Sequence, residues 1–465
     1  MATVSMGVLL ATIDGSIVNV ALPTMKEVFG ASFNVIQWVA LGYMLTLATF
    51  TLGVGRLGDV VGKKTIYTAG FGVFTAASVL CGLAPTVELL IAFRVLQAIG
   101  ATMTLALGAS ILVEAFPHHE RGKALGLIGT AVSLGVITGP VVGGLLIASF
   151  NWQAIFFVNI PVGIIGTWLA IRHVPNTAPT PGQTMDYRGA ALMSGSLLSL
   201  SLALTLGQSL GFGSPLILTL FVAALVGAAA FVRLELRVES PMVNLRLFKN
   251  PMLSVSVISG FATFVTTSAT FFLLPFYLEG VLDLPIRQVG LMLGAAPLVL
   301  GVVAPISGWL SDRIGIRKLT FAGLLFLTAG YASFRTFDTD TTVAHYLVIA
   351  AVIGIGLGVF QSPNNSAIMG SVPREYSGVA SGLLTLTRLL GQITGVAVLG
   401  TLWATRVLAN GGTGGDATAA PEAAQVAGLW DTFTVGAALI AVAALVGVWA
   451  LRRESTELDQ AVSIP

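Results

Sequence analysis

Charged side chains are scarce in this sequence. They make up 9% of its 465 residues, against about 25% in an ordinary soluble domain, and the shortage excludes water as the main solvent of the folded chain. With a net charge of +2 and no basic stripe interleaved with aromatics, nucleic acid is excluded as an expected partner. Cysteine occurs once, at Cys81, so no internal disulfide can form and the redox compartment stays open. That cysteine and four histidines make no cluster with metal-ligand spacing, and no nucleophile stands at a recognisable spacing from a base. Around Gly62 and Lys63 a phosphate loop would need Gly at 57 and Ser or Thr at 64, but Leu57 and Lys64 stand there. No ATP site, metal, cofactor or enzymatic reaction is therefore expected.

What the chain does have is apolar length. Hydrophobic residues make up 55% of it, with 54 glycines, in runs of about twenty residues, the length that a ~30 Å hydrocarbon core requires. Backbone groups in lipid must pair internally, so these runs are read as helices. Fourteen spans are expected at roughly 4–25, 37–57, 65–84, 88–115, 124–147, 154–172, 187–207, 215–233, 252–277, 288–310, 318–336, 344–364, 378–401 and 432–451. Lys and Arg are retained in cytoplasmic loops. Of the 23 basic residues, only Lys26, Arg287, Arg335 and Arg406 fall on the side opposite the majority on this map, with Arg94 and Arg388 inside the membrane. Both termini are thereby expected in the cytoplasm. The first span lacks a basic leader and carries Asp14, unlike a cleaved signal peptide. It also begins almost at Met1 with no basic residue before Lys26, and a longer native N-terminus is one expectation drawn from that. The stretch from Ala409 to Leu429, rich in Gly, Ala and Thr, reads as a flexible external linker.

The sequence repeats itself. GRLGDVVGKK after the second span and GWLSDRIGIRK after the tenth place Gly55, Leu57, Asp59 and Gly62 at one constant offset from Gly308, Leu310, Asp312 and Gly315. LGVITGPVVGG and LGQITGVAVLG in the fifth and thirteenth spans match Gly135, Ile137, Thr138, Gly139 and Gly144 to Gly391, Ile393, Thr394, Gly395 and Gly400. Two matches eight spans apart imply two six-helix halves, 1–172 and 252–451, with an inserted pair at 187–233 and a cytoplasmic tail at 452–465. Parallel repeats of this kind build carriers whose halves rock about a site near the bilayer midplane.

These residues carry a family resemblance. With IDGSIVNVALP in the first span, RVLQAIG in the fourth and NWQAIFFVNIPVG leading through the sixth, nearly the whole chain resembles a major facilitator, specifically the fourteen-helix drug:proton antiporters. Ala98 stands where that family usually has Gly after the fourth-span glutamine, and a small residue there still allows close packing.

Asp14 is the one acidic residue that the map leaves deep in a span. An Asp at a helix centre costs roughly 2.5–3.5 kcal/mol on insertion scales, so such residues usually face a cavity and serve ion or proton pathways; an interhelical hydrogen bond is the plainer alternative. Arg94 keeps its proton and needs a counter-charge or a wet cavity, for which Asp14 is the candidate; a structural anchor is the alternative. The resemblance assigns Asp14 to proton coupling, with Arg94 and Gln97 in the proton-transfer motif. The glycines Gly135, Gly139, Gly143 and Gly144 permit close helix packing, and Pro140 removes a backbone hydrogen bond and bends the span. The resemblance makes this stretch the antiporter motif that seals one half against the other. Asp59 and Asp312, beside Gly62 and Gly315, read as cytoplasmic latches rather than plain turns because they recur, and the resemblance pairs Asp59 with Arg121.

The repeat offsets carry Asp14 onto Thr267 and place no charge opposite Arg94, so proton coupling is expected in the first half alone. Gln361, Asn364, Asn365, Phe271, Phe272 and Tyr277 are candidates for the substrate cavity in the second, with packing or lipid contact the alternative for the aromatics. Arg388 and Gln392 either line the cavity or bond to backbone. Together these readings predict a monomeric, multi-pass protein of the cell (inner) membrane. It would export small organic, amphipathic or cationic compounds and draw on the proton gradient. The alternatives are an exporter of lipid, siderophore or another endogenous metabolite, and, in a different class, a non-transporting sensor or scaffold.

Overall fold

The computed structural model describes residues 1–115, 121–176, 187–238, 245–372, 377–411 and 415–462. In chain order its helices are α1 (Ala2–Phe29), α2 (Phe33–Ile36), α3 (Trp38–Val61), α4 (Lys63–Gly82), α5 (Val87–Ala115), α6 (Arg121–Ser149), α7 (Ala154–Phe157), α8 (Asn159–His173), α9 (Tyr187–Leu210), α10 (Pro215–Glu235), α11 (Pro251–Gly280), α12 (Ile286–Leu293), α13 (Ala295–Ile314), α14 (Ile316–Ala332), α15 (Val343–Gly370), α16 (Ser377–Thr394), α17 (Gly400–Ala409) and α18 (Glu422–Val462). Among the described residues there is no strand. Among the described residues eleven helices are long and apolar enough to cross a membrane, and Leu134–Ser149 and Ala191–Gly207 are shorter apolar helices. The chain is an all-α integral membrane protein, the fold class its hydropathy predicts.

The distribution of side chains is that of a protein dissolved in lipid. On α10, Leu225 is 73% exposed and Val222 and Val226 are also exposed, while Asp14, Arg94 and Gln97 are buried. Hydrocarbon outside and polar groups inside is the arrangement that a bilayer favours and water does not.

Two compact units make up the chain, residues 1–242 with 274–294 and residues 243–273 with 295–465. In the first, α1 packs against α6, α5 and α8; α4 packs against α5 and α8; and of the pair α9–α10, α9 packs on α3 and α2. The last turns of α11 and all of α12, which the repeat assigns to the second half, belong to this unit, where α12 packs on α6. In the second unit α15 lies between α13 and α14, and α18 packs on α14 and α17. Its core includes Tyr331, Phe334 and Phe433, stacked at centroid distances of 4.2–6.1 Å.

Two tight corners bear out the repeat in geometry. Gly62 joins α3 to α4 at φ 107° and Gly315 joins α13 to α14 at φ 95°, conformations that only glycine adopts without strain. The recurrence of these glycines in sequence thus has a backbone cause.

The structure differs from the sequence map in two places. The expected linker at 409–429 is ordered in its described part: a short 3₁₀ turn at Ala417–Ala419 leads into α18, which starts at Glu422. Gln425 Nε2 donates to Thr418 O and Ala420 O, and Trp403 Nε1 donates to Gln425 O. Those bonds and the burial of Ala417, Ala420, Ala424 and Val426 hold a segment whose Gly/Ala/Thr composition alone reads as flexible. α18 is helical as far as Val462, within the residues read as a tail. Glu235 is a second buried carboxylate, 3% exposed, because α10 runs past its expected end at 233.

Candidate functional site

Five helices of the first unit converge on Asp14. It stands at the middle of α1. Arg94 and Gln97, one turn apart, share a face of α5, and Ser78 and Cys81 do the same on α4. Asn159 opens α8, and Tyr43 comes from α3. Arg94 Nη1 donates to Asp14 Oδ2 at 2.5 Å and to Gln97 Oε1 at 2.6 Å. Gln97 Nε2 donates to Asp14 Oδ1 and to Ser78 Oγ, both at 2.8 Å, and Asn159 Nδ2 donates to Asp14 Oδ1 at 2.9 Å. Arg94 Nε reaches Val39 O at 3.3 Å, and its guanidinium lies 4.1 Å from the centre of the Tyr43 ring. The thiol of Cys81 approaches Gln97 Oε1 at 3.8 Å.

The chemistry follows from which oxygen each donor occupies. Oδ1 is held by two neutral amides, while Oδ2 faces only the guanidinium. Oδ2 is thereby the carboxylate oxygen with the single, charged donor. Beyond the carboxylate, the guanidinium has Gln97 Oε1, Val39 O and the Tyr43 ring as neutral partners. A buried ion pair that is further hydrogen-bonded on both sides is the geometry that can persist away from water.

Asp14, Arg94 and Gln97 are thus brought together as the sequence suggested. Asn159, Ser78, Tyr43 and Cys81 were missed. Asn159 does lie within the NWQAIFFVNIPVG segment, but a neutral amide there gives no sign of which helix it faces.

The glycines of α6 face two ways. A Cβ at Gly135, Gly139 or Gly143 would collide with Thr12, Ser16 and Ile17 of α1 respectively, and Ser16 Oγ donates to Gly135 O at 3.1 Å across this seam. Gly144 instead meets α12: a Cβ there would stand 2.8 Å from Ile286 O and 2.9 Å from Gly290 Cα. Pro140 lies on the same seam, its carbonyl oxygen 2.5 Å from where a Cβ of Gly290 would fall. In the second unit Gly391 and Gly395 press α16 and its continuation onto α11 at Phe261, Phe264 and Val265. There the backbone passes through a π-helical turn at Gly395–Leu399, where Val396 matches Pro140.

The side chains of Asp59 and Arg121 lie outside the described residues, and Asp312 is exposed at the end of α13. The cavity candidates are distributed over both units. Tyr277 belongs to the first unit and Phe271 and Phe272 to the second. Phe272 and Tyr277 are buried and Phe271 is half-buried. On α15, Gln361 is half-buried, Asn364 buried and Asn365 exposed. Arg388 and Gln392 are half-buried on α16, and the backbone oxygen of Gln392 accepts from Ser268 Oγ at 2.9 Å.

Comparison with known proteins adds the following. The family model of the Major Facilitator Superfamily matches residues 4–396. The chain is 35% identical over 408 residues to riboflavin transporter RibZ of Clostridioides difficile, covering 88% of each chain. It is 32% identical to the methylenomycin A resistance protein of Streptomyces coelicolor, over 85% of this chain and 83% of that one. It is 31% identical to multidrug resistance protein Stp of Mycobacterium tuberculosis, over 86% of this chain and 74% of that one. Among solved structures it matches a bacterial homolog of the human lysosomal transporter Spinster with TM-score 0.68 and 18% identity, covering 97% and 96% of the two chains.

Proposed function

The chain belongs to the Major Facilitator Superfamily, and we propose that within it the protein is a fourteen-span, proton-coupled exporter of small organic compounds working by alternating access. The observation that carries this reading is the buried Asp14–Arg94 pair, enclosed by Gln97 and Asn159. It supplies one carboxyl, in one half only, that can exchange a guanidinium for a proton. In the cycle, a proton from outside moves to Asp14 Oδ2, Arg94 turns to its remaining partners, and α1 is freed to shift against α5 and α8. The crossing of α6 and α12 at Gly144 and Gly290 is where the antiporter seal would open and close. Names of relatives with multidrug or antibiotic resistance support export as the direction. Both termini face the cytoplasm in this reading, and the protein acts as a monomer in the cell membrane.

A pH difference supplies about 1.36 kcal/mol per unit for each proton, and a neutral substrate adds roughly 2.3 kcal/mol per 100 mV of membrane potential. A second reading, carriage of an endogenous metabolite, is favoured by the 35% identity to a riboflavin transporter. Purified protein in proteoliposomes, given an imposed pH difference and a panel of drugs, dyes and vitamins, tests both. Uphill counterflow of several unrelated compounds supports the exporter reading; uptake of one metabolite alone replaces it with the second; no proton-dependent flux of any compound removes both.

A further inference from the structure

α16 carries a polar stripe that hydrocarbon does not accommodate. Ser381, Thr385, Arg388 and Gln392 follow one another at intervals of three and four residues, the spacing that lines them up on one helical face. All four keep some exposure, while Leu383, Leu386, Leu389 and Ile393 are buried. A polar face on a membrane-spanning helix is stable only against water or another polar surface. Arg388 is its one charge. Among the described residues no carboxylate lies within ion-pair distance of its guanidinium, whereas Arg94 is neutralised by Asp14.

The neighbouring helices place acceptors at the same level. A Cβ at Gly260 of α11 would stand 3.4 Å from Asn364 Nδ2 of α15 and 3.5 Å from Thr387 Cγ2 of α16. Asn364 is therefore beside α16 at the residue preceding Arg388. Its Oδ1 is buried without a hydrogen-bond partner, as is the hydroxyl of Ser259, next to Gly260. Native structures leave few buried polar atoms unpaired, and each one calls for an explanation. Asn364 thus brings an unpaired acceptor beside the helix that carries Arg388.

We infer that Arg388, with Asn364 and Gln392, forms a substrate subsite for an acidic or carbonyl-rich ring that presents a hydrogen-bond donor beside its acceptor, such as a carboxylic acid, an imide or a phenol next to a carbonyl. The planar fork of arginine matches the acceptor edge of such a group, and Asn364 Oδ1 receives the donor. This assignment rests on the exporter reading and narrows it. A guanidinium repels cations, so the expected preference for cationic substrates gives way at this site to an amphipathic acid.

The test uses the full-length protein in proteoliposomes with an imposed pH difference and two dyes of opposite charge on one xanthene scaffold, fluorescein and a rhodamine ester. Wild type exports fluorescein. Arg388→Gln raises its half-saturating concentration about tenfold or more, the loss of one charge-assisted contact, without that rise for the rhodamine ester. Arg388→Lys keeps the charge but not the fork, so it shows a smaller rise for fluorescein alone and carries the test if the glutamine variant does not fold. Fluorescein export unaltered by either substitution, or an equal loss for both dyes, overturns the subsite. Export of the rhodamine ester with none of fluorescein overturns it and leaves the exporter reading standing. Export of neither dye, while other panel compounds are exported uphill, also overturns it; no uphill export of any compound removes the exporter reading and the subsite together.

Discussion

Asp14→Asn separates proton exchange from packing, and the structure sets what it should do. Asparagine keeps the size of aspartate, and its oxygen can accept from Gln97 Nε2 and Asn159 Nδ2 in place of Oδ1. Its amide nitrogen then faces Arg94 Nη1, donor against donor, where the carboxylate stood at 2.5 Å. Breaking a buried ion pair from one side costs about 3–5 kcal/mol. The guanidinium retains Gln97 Oε1, Val39 O and the Tyr43 ring, which places the expected loss near the lower end, about 3 kcal/mol. That is a substantial part of the 5–15 kcal/mol typical of a folded protein, yet compatible with folding. Adding Arg94→Gln removes the stranded charge, so the double variant should recover most of the lost stability while remaining unable to drive uphill export. Thermal unfolding in detergent reads the first quantity and counterflow under an imposed pH difference the second. Uphill export by Asp14→Asn at the wild-type rate would refute the reasoning, and Glu279, whose Oε1 accepts from Thr24 Oγ1 at 3.3 Å, would be the next carboxyl to examine.

The other expected outcomes concern the shell, the seams and the charge moved. Asn159→Leu removes one of the two amide donors to Asp14 Oδ1 and should lower uphill export in proteoliposomes by about fivefold or more; unchanged export with normal folding would show Asn159 to be packing only. Gly139→Leu drives a side chain into Ser16 and Gly144→Leu into Ile286 O; the first should lower folded yield, whereas the second should leave folded protein with slowed export, and equal effects on yield would deny the two seams separate roles. Gly62→Ala strains a corner at φ 107° and should destabilise the protein by about 1–3 kcal/mol, read as a lowered unfolding temperature. Export of a doubly charged acid such as fluorescein at neutral pH against one entering proton moves three positive charges inward, so an inside-negative potential of 100 mV should add roughly 7 kcal/mol of driving force and accelerate fluorescein export; insensitivity to potential would contradict that stoichiometry.

Much of this arrangement was legible in the residues, and what was not has a physical reason. Asp14 and Arg94 stood out because ionisable groups inside apolar runs need each other, and the structure joins them. Asn159 did not, because a neutral amide in a long apolar stretch is as compatible with a backbone contact as with a carboxylate. The glycines of α6 announced close packing, but adjacent helical residues point about 100° apart, so Gly143 meets α1 while Gly144 meets α12, a division visible only in three dimensions. Ala409 to Leu429 was misread because alanine and threonine suit a solvated linker and a buried turn equally, and only the bonds of Gln425 tell them apart.

The repeat makes the division of labour sharper than either unit does alone. Thr267, the counterpart of Asp14, shares a 3.1 Å hydrogen bond with Tyr331, whose ring stacks on Phe334 and Phe433. That is a neutral, tightly stacked arrangement with nothing to titrate at neutral pH. The first unit holds the same position with an ion pair whose partners can be exchanged one for another. Conversely, the arginine without an acid partner lies in the second unit, on α16. Two copies of one packing plan, with glycines pressing α6 on α1 and α16 on α11, thus carry opposite polar chemistry: a carboxylate paired with an arginine in one, and among the described residues an arginine on α16 with no acid partner in the other; on the proposed reading the first takes the proton and the second the substrate. A carrier that must bind a proton and a substrate at different sites needs such an asymmetry, because identical halves would offer each ligand two equivalent places and couple neither to the other.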